Sequence, residues 1–166
     1  MYFNRSFLLR VGIIVLLGGV ACSNPKEQNT SDTITLSDVK LESLEGETLD
    51  LTSFKGKIIF LNFWATWCRP CLQEMPTIEK AMIDLKEENI VFLFASDEDP
   101  DHILNFKNTR KFDFQYVRVL NLVELNIQAL PTTFIFNENG HLIFSEMGYR
   151  DWSTEKNKTL LKPIPS

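Results

Sequence analysis

Apolar residues fall along this chain in two rhythms. Ile58-Ile59-Phe60-Leu61-Asn62-Phe63 is a short, nearly unbroken run of β-branched and aromatic side chains. It is too short for a helix and predicts a strand buried on both faces. Directly downstream, Cys71, Met75, Ile78, Met82 and Leu85 recur at steps of four and three. That spacing predicts an amphipathic helix from about Arg69 to Glu87, kinked at Pro76 and ended by Asn89. Ile90 to Ala95 reads as a second buried strand. Two buried strands joined by a helix imply a parallel βαβ unit, and so an α/β fold.

Fainter patterns fill in the rest. Asp38 to Leu51 alternates around Gly46 and predicts a β-hairpin covering one edge of the sheet. Leu51 to Phe54 predicts a single helical turn, and Lys55-Gly56-Lys57 the tight turn into the central strand. Asp99 is a candidate N-cap with Pro100 at the first helical position, and Ile103 and Phe106 face inward from that helix. Phe114 to Leu120 predicts a strand, and Leu122 to Leu125 a helical turn ended by Asn126. Phe134-Ile135-Phe136 and His141 to Met147 pair across the turn Asn137-Glu138-Asn139-Gly140. Gly148 is read as permitting a close backbone approach. Asp151-Trp152-Ser153 is read as the cap of a last helix through Leu161, ended by Pro163.

Length and composition narrow the class. A chain of 166 residues with 44% apolar content suits one globular domain, and thirteen Phe predict an aromatic interior. A net charge of −5, with no Lys/Arg cluster, argues against a nucleic-acid partner. Arg5 and Arg10 precede an apolar stretch from Val11 to Ala21 that is short for a bilayer span and ends in small residues before Cys22. The pattern resembles a bacterial lipoprotein signal with Cys22 as the lipidated first residue, though Gly19 stands where such signals usually carry Leu. The alternative is an uncleaved membrane anchor extended back through Phe7. Either puts the domain outside the cytoplasm, where disulfides persist. The expected layout is a signal peptide over 1–21, a flexible tether over 22–34 and one domain over 35–166.

The candidate chemistry lies where the first strand gives way to the helix, at Trp64-Ala65-Thr66-Trp67-Cys68-Arg69-Pro70-Cys71. Free amide N–H groups and the positive end of the helix dipole meet Cys68 there and favour its thiolate, the nucleophilic form. Arg69 pushes the same way. Cys71, one turn along, can close a disulfide with Cys68 and resolve what it attacks. Three other readings stay open. A zinc half-site would need more ligands than Cys22, His102 and His141 offer. Inert core cysteines fit poorly with Pro70 between the pair. A peroxidase would place Thr, not Ala65, three residues before the attacking Cys.

Phe63-Trp64-Ala65-Thr66-Trp67-Cys-x-Pro-Cys, followed by Glu74 and Pro76, resembles the thioredoxin-like family. The match is nearest its extracytoplasmic, membrane-anchored branch, which includes TlpA and ResA. The resemblance runs from about Leu36 to Tyr149. It implies a thioredoxin-like fold: a central mixed β-sheet flanked by helices, an N-terminal β-hairpin, and an extra helix and strand before the proline site. It also implies a cis bond at Leu130-Pro131 facing the Cys pair, where sequence alone favours a trans turn proline. Leu130 would then offer its backbone to a client strand. Thioredoxin proper carries Asp six residues before the first Cys; here that place is Asn62, so Glu74 is the candidate that helps deprotonate Cys71. Otherwise Glu74 is a surface residue in the helix's first turns. Trp67 is a candidate client-facing residue or a structural one, and Arg69 and Pro70 tune the redox balance.

The expected function is a membrane-anchored thiol-disulfide reductase acting on exported proteins, apocytochrome c among them, and fed by a membrane-embedded electron donor. The expected protein is a monomer without metal or organic cofactor. The alternatives are a disulfide oxidase or isomerase of the same fold, or a redox-inert peptide-binding lipoprotein with a structural disulfide.

Overall fold

A computed structural model describes residues 34–162. The signal, tether and Cys22 expectations therefore fall outside the described residues, apart from Ile34, as does the expected stop at Pro163. The chain forms β1 (Leu41–Glu42), β2 (Thr48–Leu49), β3 (Ile58–Phe63), α1 (Arg69–Asp84), β4 (Ile90–Ser96), α2 (Pro100–Arg110), β5 (Gln115–Val119), β6 (Thr132–Phe136), β7 (Leu142–Met147) and α3 (Glu155–Lys158). The strands make one mixed sheet in the order β2-β1-β5-β4-β3-β6-β7. β3, β4 and β5 run parallel; β6 is antiparallel to β3, β7 to β6 and β1 to β5.

The chain steps from β3 to β4 to β5 in one direction across the sheet. Right-handed crossovers then put both connecting helices on the same face. Packing agrees: Met75 and Ile78 of α1 and Ile103 and Phe106 of α2 share one core with Phe60, Phe94 and Ile135. The other face is covered by the segments around Leu36, Leu51 and Leu125, over Ile59, Leu61, Phe63 and Phe134. β3 is buried at every position, because it is central and covered on both sides.

Most predicted elements stand where the pattern put them. The hairpin pairs Leu41 with Leu49 at the sheet edge, Leu51–Phe54 is one 3-10 turn, and Asp99 caps α2 through the Asp101 N–H. α2 and β5 are the extra helix and strand that precede the proline site. Asn126 has positive φ at the end of its turn.

Several boundaries differ. α1 stops at Asp84, three residues early, because Leu85 already leaves helical geometry. It continues as one helix through Pro76. The expected 122–125 helix is a hydrogen-bonded turn only. Gly148 needs glycine for its φ of 98° rather than for space, since no heavy atom lies within 4 Å of an added Cβ. Thr154, not Asp151 to Ser153, caps α3. Trp152 is fully buried, its ring edge-on to Phe60 at 4.8 Å, so it belongs to the core.

Candidate active site

β3 delivers the redox loop to the end of the sheet. The Trp64 N–H donates to Ala95 O at 3.0 Å and extends the ladder by one residue. Trp64 packs tilted against Phe106 and Tyr116, which anchors the loop from below. The chain then turns, with the Cys68 N–H donating to Ala65 O at 3.1 Å, and α1 begins.

Cys68 is the N-cap of α1, and its Sγ accepts the Cys71 N–H at 3.3 Å. Side-chain acceptance at this position is the ordinary capping role, filled here by sulfur. Cys68 and Cys71 are joined as a disulfide, Cα–Cα 5.3 Å. Cys68 is 4% exposed and Cys71 1%. Both sulfurs are thus largely covered, and Cys68 is the outer one. Arg69 and Pro70 lie exposed on the first turn. Trp67, just before Cys68, is 73% exposed.

The Leu130–Pro131 bond is cis. Phe63 pairs with Thr132, so the proline and the redox loop leave the sheet at the same end. The Gly148 N–H donates to Pro131 O at 2.7 Å, and the Thr132 hydroxyl to Ala129 O at 2.7 Å. These bonds fix both sides of the proline turn. Leu130 is half-buried beside it.

Glu74 is not a surface residue. It is 1% exposed, one helical turn beyond Cys71. Burial pushes its carboxyl up to about 7, against hydrogen bonds that favour the charged form. Those come from the Trp152 indole at 2.9 Å, the Arg150 N–H at 3.1 Å and the Asn62 amide at 3.2 Å. Asn62 also donates to the Thr133 hydroxyl at 3.0 Å. Residues from β3, α1 and the segment before α3 therefore meet at one carboxyl, and β6 joins them through Asn62. Its displaced pKa makes it a group that can take or give a proton near neutrality.

Sequence reasoning named Glu74 but missed its partners Trp152 and Arg150, and Thr133, which accepts from Asn62. It also missed Glu98, which accepts from the Thr66 N–H and hydroxyl, both at 2.6 Å. His102 lines a groove of about 430 Å³ beside Trp67. His141 lies at the far hairpin, bridged to Thr35.

A CxxC disulfide capping the helix after a central strand, at the same end of the sheet as a cis-proline, defines a thioredoxin-like thiol-disulfide oxidoreductase. The chain belongs to the AhpC/TSA family, whose model matches residues 34–145. It is 34% identical over 128 residues to the thiol-disulfide oxidoreductase ResA of Halalkalibacterium halodurans, covering 74% of this chain and 73% of that one. Among solved structures, a thioredoxin-family thiol:disulfide interchange protein from Chlorobium tepidum aligns with TM-score 0.62 at 20% identity, over 74% of this chain and 92% of that one. The pneumococcal exposed lipoprotein thioredoxin from Streptococcus pneumoniae aligns with TM-score 0.52 at 24% identity, over 73% and 93%.

Proposed function

We propose that this oxidoreductase works as a reductase of disulfides in exported proteins, held at the membrane through a lipid on Cys22. The single observation that carries the reading is the Cys68–Cys71 disulfide at the N-terminus of α1, with the buried Glu74 carboxyl one turn beyond it. In the reduced protein, the Cys68 thiolate attacks one sulfur of a client disulfide. That bond breaks, a client thiolate leaves and takes up a proton, and Cys68 is left in a mixed disulfide. Glu74 accepts the proton of Cys71. The Cys71 thiolate attacks Cys68 Sγ and releases the second client thiol. Two electrons pass to the client, and the protein ends as the Cys68–Cys71 disulfide. A membrane-embedded donor then restores the dithiol.

Trp67 and the Leu130-Pro131 turn flank the pair as client-facing elements, and Arg69 and Pro70 adjust its potential. The placement outside the cytoplasm is supported by the Arg5 to Cys22 pattern and by the fold shared with an exposed lipoprotein thioredoxin. Apocytochrome c cysteines are one candidate client.

The test is insulin reduction with dithiothreitol, together with the redox potential of the pair. A reductase should catalyse insulin precipitation, lose that activity in Cys68→Ser, and titrate below roughly −200 mV, away from the strong oxidants of the class. Activity that survived Cys68→Ser would defeat the enzyme reading. A potential near −120 mV, the range of a strong oxidant, would reverse the direction. For Glu74, the Glu74→Gln protein should show an altered pH dependence of thiol alkylation; an unchanged profile at both cysteines would remove it from the mechanism.

A further inference from the structure

The redox loop is held from one side by a carboxylate that the mechanism does not use. Thr66 lies two residues before Cys68 and directly before Trp67. Its backbone N–H finds its acceptor in a side chain, Glu98 Oε2 at 2.6 Å. Its hydroxyl donates to the other oxygen, Oε1, at 2.6 Å. One carboxylate thus grips one residue at two points, in short charge-assisted bonds. Glu98 is itself braced: the Ser96 hydroxyl donates to Oε2 at 3.1 Å, and Ser96 is fully buried at the end of β4. The clamp ties the redox loop to the end of β4, the middle strand of the sheet.

Trp67 follows Thr66 directly in the chain. It is 73% exposed, although it borders a groove that it shares with Phe106, His102 and Arg110. An exposed tryptophan on a free loop gains by folding onto such a surface. The two bonds to Thr66 hold the preceding residue, from which Trp67 follows. Aromatic side chains held in this way are the usual anchors of protein–protein contact.

We propose that Glu98 is a positioning residue that holds Trp67 out for contact with a protein client, so that it governs reaction with protein disulfides and not with small ones. The inference rests on Cys68 being the sulfur that clients meet. Its first readout is independent of activity. Trp64 and Trp152 are 1% and 0% exposed, so acrylamide quenching of the reduced protein reports Trp67 almost alone. In Glu98→Ala the quenching constant should fall as the indole settles into the groove. Glu98→Gln, which keeps an acceptor oxygen, should restore most of it. Thr66→Val, which removes the hydroxyl donor only, should shift it the same way by less, and serves if Glu98→Ala fails to fold.

The second readout compares two oxidised substrates of the reduced protein, insulin and 5,5′-dithiobis(2-nitrobenzoate). Glu98→Ala should slow the insulin reaction on the order of tenfold, as displacement of a docking group does, and leave the small disulfide close to wild type. Quenching that stays the same or rises would overturn the proposal, as would an equal loss against both substrates. A wild-type protein that reduced neither would refute the functional reading instead, and the quenching comparison would still decide the role of Glu98.

Discussion

The Trp152 indole N–H donates to the Glu74 carboxylate at 2.9 Å, joining two buried residues 78 positions apart in the chain. The bond ties the segment before α3 to the redox helix, together with the Arg150 N–H on the same carboxyl and the Trp152 N–H on the Thr77 hydroxyl. It also sets how Glu74 titrates, since it favours the charged form of a carboxyl that burial disfavours.

Replacing Trp152 with Phe should therefore raise the Glu74 pKa further above about 7. The ring's packing on Phe60 and Phe144 is largely kept, but one donor to a buried charge is lost. The expected cost is about 1.5–3 kcal/mol above neutral pH, the range for hydrogen bonds to charged groups, and less where Glu74 is protonated. Carbon-detected NMR titration of the glutamate carboxyls checks the shift, and urea denaturation the cost.

Glu74 should also leave a mark on stability against pH. Its folded pKa is raised from 4.5 to about 7, so between these values the folded state holds a proton that the unfolded chain has released. Stability conferred by this group is therefore present below 4.5 and is lost as pH rises through 7. The drop is on the order of 3 kcal/mol. Glu74→Gln should flatten the stability curve across that window, which urea midpoints taken across the same range will show.

Asn62 supplies a third prediction. Its amide bridges Glu74 and the Thr133 hydroxyl inside the core. Asn62→Asp removes that donor and sets a second carboxyl against the first. The expected cost is about 3 kcal/mol or more above neutral pH, since it leaves a buried charge unpaired. The loss should shrink under mildly acidic conditions, where Glu74 is protonated. A loss independent of pH would mean that the two groups do not sense each other.

Much of this site was legible in the sequence, for physical reasons. β3 and α1 are close to ideal examples of their periods, so the strand-to-helix junction could be placed to the residue, with Cys68 on the cap. Asp99-Pro100 and Asn137 to Gly140 carry their own turn chemistry. The cis bond at Pro131 was not readable from local pattern, and only the resemblance suggested it.

What stayed hidden depends on distance along the chain. Trp152 read as part of a helix cap because Asp151 and Ser153 beside it are capping types, whereas its burial follows from Phe60 and Phe144 far away. Glu98 carries no local signal of its role, because Thr66, the residue it holds, lies 32 positions earlier. The Lys158 side chain is only 8% exposed and pairs with Asp84 of α1, far back in the chain. A single carboxylate or lysine carries no periodic signal that reveals its partner.

The most direct test of the account is a trap. Cys71→Ser protein, reduced and mixed with a client disulfide such as insulin, should accumulate a mixed disulfide whose mapped bond is to Cys68, because the resolving sulfur is gone. Cys68→Ser should form none at a comparable rate. A mixed disulfide that forms through Cys71 instead, or equal trapping by the two variants, would contradict the assignment of Cys68 as the attacking sulfur.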